Sequence, residues 1–369
     1  MPVYVGRMTL RSKTNSREAA GRLLHVAEAA EAFRHGRPVA ITGGDAQLTA
    51  LAVETVDDST VRVMAGQGRL LLTHARASTL KIRLYTEGAV AVPLKGGETA
   101  EQLRAIADPT ADLATPLKGP FEAARDKLTP AHLAAVKLAK LAGLLPAALV
   151  WPGAKAKMLQ IPAADILSYE DDSVTALKLV ARARVPLGGA EHAELAAFRP
   201  GDGGPEHYAV IVNAPAPHQP VLTRLHSECF TGDLLGSLKC DCGAQLRGAI
   251  ETISKSGGGV LLYLAQEGRG IGLINKLRAY RLQDQGFDTI EANERLGFDA
   301  DERLYGVAAR MLSLLGYDSV RLLTNNPDKV AALEAAGVKV VERVPHAFPE
   351  NEHNRAYLRT KAEKAGHLL

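Results

Sequence analysis

The chain has 369 residues, of which 46% are hydrophobic and 23% charged, which is typical of a globular protein with room for two domains. Its 44 basic and 41 acidic residues leave a net charge of +3, which argues against the concentrated basic surface of a nucleic-acid-binding protein. The basic N-terminus lacks the apolar core of a signal peptide, and the apolar stretch 143–151 contains Pro146 and is too short to span a bilayer. We therefore expect a cytoplasmic protein that binds neither nucleic acid nor membranes.

The first half of the sequence combines helical and β-like patterns. Apolar residues at helical spacing predict a helix over 16–34, with Ser16 as its N-cap and Gly36 as its stop. A second helix is predicted over 131–144. Short β-like runs are predicted at 39–42, 48–56, 61–64 and 69–73. Loop-like segments at 186–189 and 200–205 place a domain boundary near Val185, and hence domains of 1–184 and 185–369.

The second half alternates regularly between strand and helix patterns. Strands are predicted at 221–226, 259–264, 320–323 and 338–341. Helices are predicted at 245–254, 274–285, 301–315 and 328–336. This alternation predicts an α/β fold of mixed α+β character, with two domains that each contain a mixed sheet flanked by helices. The polar tail, residues 352–369, is helix-prone.

All three cysteines lie in one short segment, as Cys229-x10-Cys240-x-Cys242. An odd, clustered set does not suit a disulfide framework, whereas three thiolates with one open position suit a catalytic zinc that activates water. Two alternatives stay open: three buried cysteines that act as small apolar residues, or a structural zinc completed by His226 or His218. We expect one zinc per chain.

Three loops contain residues that suit phosphate binding at the start of a helix. The glycine-rich loop 266–272 follows a predicted strand, but its G-x-G-x-G spacing departs from the dinucleotide fingerprint. The loop 324–329 joins a strand to a helix and contains Lys329. The acidic segment 299–303 is predicted to open a helix, where acids are common for electrostatic reasons alone. Taken singly, each loop is also explained by ordinary turn or helix-start preferences.

Together these pieces resemble GTP cyclohydrolase II. Seven segments carry the resemblance in the family's order: 224–229 (RLHSEC), 237–243 (SLKCDCG), 266–272 (QEGRGIG), 275–280 (NKLRAY), 288–293 (DTIEAN), 301–303 (DER) and 323–327 (LTNNP). They fall within residues 186–369. The resemblance implies zinc-dependent hydrolysis of GTP. The products would be formate, pyrophosphate and 2,5-diamino-6-ribosylamino-4(3H)-pyrimidinone 5′-phosphate, and the reaction would be the first step of riboflavin biosynthesis. It also implies a homodimer, and the use of GTP suggests magnesium.

The resemblance assigns roles to individual residues. Zinc would be held by Cys229, Cys240 and Cys242. The GTP pocket would be lined by Arg224, Glu228, Gln245, Glu267, Arg269, Thr289, Thr324 and Lys329. Asp301 would accept a proton, and Tyr280 would accompany full removal of formate. The family assigns Arg303 as a nucleophile at the α-phosphorus, although an electrostatic clamp is physically easier for a protonated guanidinium.

Two other functions remain compatible with the sequence. The chain could open the ring of a related substrate in another purine or pyrimidine pathway, or stop at the formylated product. It could also be a zinc-dependent nucleotide-binding module without turnover. The cysteines together with Asp301 and Arg303 argue against this last alternative.

The first half more faintly resembles 3,4-dihydroxy-2-butanone 4-phosphate synthase. The resemblance lies in residues 32–39 (AFRHGRPV), 116–117 (PL) and 135–144 (AVKLAKLAGL). Where that family has an acidic loop, this chain reads AITGGDAQ over 40–47, and where it has Gly-His-Thr-Glu, this chain reads LTPAH over 128–132. The carboxylates for sugar phosphate and metal are largely missing. We therefore expect a degenerate, non-catalytic domain.

Overall fold

The computed structural model describes residues 10–349 except 45, 65 and 156, together with 352, 354 and 359. It contains two mixed sheets flanked by helices, which confirms the predicted fold class. Within the described residues, no helix combines the length and apolar character needed to cross a bilayer. Most of the tail that we predict to be helical lies outside the described residues.

The first sheet has six strands in the order β4-β3-β5-β2-β1-β6. Its strands are β1 (Val39–Gly43), β2 (Ala46–Ala52), β3 (Arg69–Thr73), β4 (Ala89–Pro93), β5 (Ala147–Pro152) and β6 (Gln160–Pro162). Only the β1–β6 pairing is parallel among these strands. The accompanying helices are α1 (Leu10–Arg34), α2 (Asp58–Met64), α3 (His74–Thr79), α4 (Ala100–Ala107), α5 (Pro130–Leu141), α6 (Ala163–Leu167) and α7 (Tyr169–Ala176).

Of the β-like runs predicted in this half, 61–64 is wrong and 48–56 is wrong in part. Residues 61–64 belong to α2, because Val61 and Met64 are three residues apart and are buried together on one helix face. The run 48–56 is a strand only as far as Ala52, after which Val53–Thr55 forms a single 3₁₀ turn.

The second sheet has seven strands in the order β13-β12-β10-β11-β9-β8-β7. Its strands are β7 (Lys178–Arg184), β8 (Ala193–Arg199), β9 (His207–Val212), β10 (Val221–Ser227), β11 (Gly259–Leu264), β12 (Ser319–Leu323) and β13 (Lys339–Val344). Strands β10 to β13 are parallel to their neighbours in this group, whereas β7, β8 and β9 pair in antiparallel fashion. The sheet therefore begins with β7, just before the boundary that we predict near Val185.

Helices of the second half pack on both faces of this sheet. They are α8 (Cys242–Lys255), α9 (Gly272–Asp284), α10 (Thr289–Arg295), α11 (Tyr305–Leu315) and α12 (Pro327–Ala335). The helix predicted from residue 301 begins only at Tyr305. Before it, the Glu302 amide donates to Arg269 O at 3.0 Å and the Arg303 amide donates to Asp301 Oδ1 at 3.1 Å, so loop contacts hold this segment instead of helical ones.

One hydrophobic core is shared by the two halves. Side chains from the first half, among them Leu51, Leu103 and Leu145, form a single buried cluster with side chains from the second half. The second-half members are Ile271, Ala279, Leu282, Ala292, Leu296 and Phe298. These residues lie on α9, on α10 and in the segments beside them. The first half therefore packs directly against α9, which follows the glycine-rich loop, and against α10, which precedes the acidic segment.

Candidate active site

The candidate site lies at the carboxyl ends of three adjacent parallel strands. β10 leads into Glu228 and Cys229, β11 leads into the loop that contains Glu267 and Arg269, and β12 leads into Thr324. Carboxyl ends of parallel strands meet at one edge of a sheet, and this edge is the usual ligand site in α/β folds. Loops far apart in sequence are thereby brought around one cavity.

The three cysteines form one cluster of free thiols. Their sulfur atoms lie within 4.8 Å of one another, and Cys229 Sγ is 3.8 Å from Cys240 Sγ. Three thiolates about 2.3 Å from a tetrahedral zinc have sulfur–sulfur distances of about 3.8 Å, so the cluster fits the metal. Gly232 closes one side, because a Cβ there would lie 2.7 Å from Cys240 Sγ and 3.0 Å from Cys229 Sγ. The cradle thus requires glycine at this position.

The thiols share negative charge unequally. Hydrogen bonds from the Cys240 and Cys242 thiols, together with the nearby Lys276 ammonium, hold the pKa of Cys229 well below its usual range. The bond to Cys229 raises the pKa of Cys240 to about 11, and hydrogen bonding together with burial raises that of Cys242. Without a metal, one thiolate is therefore stabilised by two protonated neighbours. A divalent cation removes this competition, since all three groups can then ionise.

The histidines considered as a fourth zinc ligand are engaged elsewhere. His226 Nε2 lies 3.0 Å from Asp233 Oδ1, and its ring stacks on Tyr263 with centroids 5.6 Å apart. Burial lowers the pKa of His226 despite the carboxylate. The His218 side chain is 78% exposed and pairs with Asp318. Within the described residues, the metal-ligand cluster consists of the three cysteines alone.

Lys276 is a site residue that our sequence reasoning did not single out. Its ammonium lies 3.1 Å from Cys229 Sγ, 3.0 Å from Thr231 Oγ1 and 2.8 Å from Glu267 Oε1. Burial opposes its charge, but Glu267 and Cys229 together raise the pKa of Lys276 above its ordinary value. A lysine within a helix is usually solvated, so its sequence context alone did not distinguish it.

Tyr280 lies one turn beyond Lys276 on the same face of α9 and lines the same cavity. Its hydroxyl oxygen is 3.4 Å from Thr231 Oγ1. Burial raises the pKa of Tyr280. The hydroxyl therefore stays protonated at neutral pH and can donate a hydrogen bond beside the cysteines.

All eight residues that we assign to the GTP pocket line this cavity, together with Tyr280 and Arg303. They are Arg224, Glu228, Gln245, Glu267, Arg269, Tyr280, Thr289, Arg303, Thr324 and Lys329. Lys329 is 7% exposed, and its Nζ donates to Leu225 O at 3.0 Å. Arg224 donates from Nη1 to Leu323 O at 2.9 Å, while its buried Nε has no partner within the described part of the chain. Burial lowers the pKa of Arg224 to about 10, so the guanidinium stays charged at neutral pH.

Asp301 does not line the cavity directly but lies behind Arg303. Arg303 Nε donates to Asp301 Oδ1 at 2.7 Å, and Nη2 contacts the second carboxylate oxygen. Burial raises the pKa of Asp301, but the Arg303 guanidinium outweighs burial and leaves it below its usual value. The pair is therefore ionised at neutral pH, with the guanidinium facing the cavity.

The glycine-rich loop has an unusual backbone that the sequence pattern explains only in retrospect. Gly268, Arg269 and Gly270 all have positive φ, at 63°, 62° and 93°. A Cβ on Gly270 would lie 2.7 Å from Glu302 O, so glycine permits the close contact between the two loops. Arg269 pays a conformational cost at a non-glycine residue, as is common where a site must point a side chain in a fixed direction.

Comparison with known proteins gives the family of this chain. The family model described as GTP cyclohydrolase II matches residues 178–345. A protein named GTP cyclohydrolase-2 from Azospirillum brasilense is 51% identical over 368 residues, covering 95% of each chain. The chain belongs to the GTP cyclohydrolase II family. It is therefore an enzyme, as predicted.

Further relatives match over less than half of this chain. GTP cyclohydrolase-2 from Azotobacter vinelandii is 60% identical over 166 residues, which are 45% of this chain and 80% of the relative. The riboflavin biosynthesis protein RibBA from Bacillus cereus is 58% identical over 164 residues, or 44% of this chain and 41% of the relative. A solved two-domain 3,4-dihydroxy-2-butanone 4-phosphate synthase, RibBX from A. baumannii, covers 86% of this chain and 99% of its own. Its TM-score of 0.32 and identity of 18% are too low to support a functional conclusion.

Proposed function

We propose that this chain hydrolyses GTP to formate, pyrophosphate and 2,5-diamino-6-ribosylamino-4(3H)-pyrimidinone 5′-phosphate in riboflavin biosynthesis. Membership of the GTP cyclohydrolase II family supports the activity. The observation that carries the detailed reaction is the cavity that joins three clustered thiols to buried cations. The thiols suit chemistry on the base, and the cations suit binding of the phosphates.

Cys229, Cys240 and Cys242 would hold zinc in this cavity, next to the base of the substrate. When bound, zinc supplies Lewis-acid chemistry and makes a water nucleophilic at neutral pH. Lys276 would neutralise part of the thiolate charge, since its ammonium is 3.1 Å from Cys229 Sγ. The same ammonium fixes Glu267 at 2.8 Å, on the cavity wall. Glu228 and Glu267 would accept hydrogen bonds from the guanine N1–H and amino group.

Cationic groups of the same cavity would bind the triphosphate. Arg224, Arg269, Arg303 and Lys329 all line it. Arg303 would stabilise negative charge at the α-phosphate, with Asp301 behind it to orient the guanidinium and accept a proton. Magnesium with the phosphates, and a homodimeric assembly, are further parts of the proposal that rest on the family resemblance.

The proposal is tested by incubating the zinc-loaded protein with GTP and identifying the products by mass. We expect equal amounts of formate, pyrophosphate and the diamino product. A formylated product alone, or turnover of another purine in preference to GTP, would support the related ring-opening enzyme. Tight GTP binding with no product from the zinc-loaded protein would support the binding module and contradict the proposal.

We propose that the first half has no synthase activity of its own. Its β1–β2 hairpin presents Thr42, Gly43 and Gln47, where the resembled synthase has its acidic loop. Ribulose 5-phosphate should therefore give no dihydroxybutanone phosphate with magnesium present. Formation of that product by the purified chain, measured against a known synthase, would contradict this part of the proposal.

A further inference from the structure

A lysine from the first half contacts the acidic loop of the candidate site. Lys140 lies on α5, and its ammonium is 2.5 Å from Glu302 Oε1 and 3.2 Å from Asp299 Oδ2. Its side chain is only 20% exposed, and Nζ lies 5.9 Å from the centre of the Phe298 ring. Both acids flank Asp301, and Glu302 directly precedes Arg303.

Glu302 is a junction between this loop and the glycine-rich loop. Its carboxylate also accepts a bond from the Asp299 amide at 2.8 Å, and its own amide donates to Arg269 O at 3.0 Å. Arg269 Nη1 in turn donates to Ala300 O at 3.2 Å. A charge that fixes Glu302 therefore fixes both loops, including the two arginines that face the cavity.

A second set of contacts from the first half fixes α9. Arg278 forms an ion pair with Glu54, at 2.8 Å from Nη2 to Oε1, and also donates to Asn275 Oδ1 at 2.7 Å. The fully buried Asn275 donates to Gly143 O at 3.1 Å. Residues 275 and 278 share one face of the helix, whereas Lys276 and Tyr280 share the cavity face. The first half thus holds α9 by the face opposite to the one that meets the cysteines.

We propose that the first half acts as a positioning body for the GTP cyclohydrolase site, and that Lys140 is a positioning residue that acts through Glu302. This inference rests on the proposed function of the same site. Lys140 does not touch the cavity, so its effect reaches the substrate only through the orientation of Arg303 and Arg269.

The test compares Lys140→Met with Lys137→Met, a matched control. Lys137 lies one turn earlier on α5 with a similar exposure of 21%, but it donates to Leu167 O and pairs with Glu170 inside the first half. In the zinc-loaded full chain, we expect Lys140→Met to lower kcat at least about tenfold, with KM changed less than threefold, because misplaced groups cost mainly in the transition state. Lys137→Met should stay within twofold of wild type, and Lys140→Arg should recover most of the loss.

Two further measurements test the positioning role of Lys140. The first is a double variant, which separates this role from a loss of overall stability, and the second is hydrogen exchange, which needs no substrate. In the double variant Lys140→Met/Glu302→Gln, kcat should lie close to that of Glu302→Gln alone, because both changes break the same ion pair and only the longer contact of Lys140 with Asp299 is lost in addition. Hydrogen exchange should accelerate at the amides of residues 299–303 in Lys140→Met and not in Lys137→Met.

The outcomes separate this inference from the proposed function. Equal kcat losses in the Lys140 and Lys137 variants, additive effects in the double variant, or unchanged exchange at 299–303 would overturn the positioning role. A wild-type chain that leaves GTP intact would overturn the proposed function, while the exchange measurement would still decide whether Lys140 holds the loop.

Discussion

The two sheets of this chain are both mixed, but their edges carry different chemistry. At the carboxyl ends of β10, β11 and β12, cationic and acidic side chains converge with three thiols on one cavity. In the first half, Thr42, Gly43 and Gln47 lie beside the turn that joins β1 and β2, and the fully buried Arg76 is paired with Asp112 within that half. Similar sheet architecture therefore does not predict similar function, because the chemistry depends on the side chains of the loops.

The largest effect that we expect comes from Cys240→Ser. A hydroxyl is a much poorer zinc ligand than a thiolate, so bound zinc should fall from about one per chain to near zero. GTP turnover should fall with it by at least about a hundredfold. Metal analysis and product formation on the same sample measure both quantities. Full zinc occupancy in the variant would show that the edge of the second sheet is not the metal site.

Removal of the first half tests whether the two regions are separable. A chain that begins at Leu177 keeps β7 but exposes Ile271, Leu282, Leu296 and Phe298, which lie in the shared core. We expect aggregation, or a loss in the free energy of unfolding on the order of 5 kcal/mol, from the apolar surface alone. Urea unfolding of the truncated and intact chains gives the comparison. Equal urea midpoints for the truncated and the intact chain would contradict a core shared by the two halves.

Tyr280→Met tests a single hydroxyl within the catalytic edge. The variant should still consume GTP and release pyrophosphate but accumulate the formylated product, because methionine cannot orient water or the formamide. Product analysis by mass distinguishes the two species. If the variant yields the fully deformylated product at an unchanged rate, Tyr280 only packs against its neighbours.

The smallest expected effect is a pH dependence of stability in the second half. Burial lowers the pKa of His207 to about 4, and its Nδ1 accepts from the Ala265 amide at 3.0 Å. The unfolded chain, with a histidine pKa of about 6.5, binds more protons between pH 6.5 and 4, so stability falls as the pH falls through that window. Titration of His207 should therefore lower the free energy of unfolding by about 1–2 kcal/mol at pH 5 relative to pH 7.5.

His207→Asn keeps an acceptor for the Ala265 amide but cannot titrate, so it serves as the matched variant. Urea midpoints at pH 7.5 and 5 for both proteins isolate the contribution of this histidine. An equal loss of stability in the variant and in wild type would assign the pH dependence to other groups.

Sequence reasoning worked best where local pattern and chemistry coincide. The predicted strands 221–226 and 259–264 correspond to β10 and β11, because short apolar runs between turns are typical of buried parallel strands. The cysteine spacing alone indicated a metal site, and the three thiols do meet in the structure. The roles proposed for the individual side chains stay predictions.

Other features depend on tertiary contacts that no local pattern encodes. The acidic segment 299–303 looks like a helix start, yet its amides bond to Arg269 O and to Asp301. The buried position of Lys276 depends on α9 packing beside Cys229, 47 residues away in sequence. The contact from Lys140 to Glu302 joins residues 162 positions apart. Contacts at such separations become visible only when the fold is known.

β7 has a consequence for how copies of this chain behave in concentrated solution. Every residue of this strand is exposed at the open edge of the second sheet, including Leu179 and Val180. Such an edge invites pairing with a strand of another molecule, which leads to aggregation. Here, Lys178, Arg182 and Arg184 place positive charge along it, and the register is irregular between Leu179 and Ala181. Like charges and a distorted edge both disfavour such pairing, so we expect β7 to lower the tendency of the chain to aggregate through this edge.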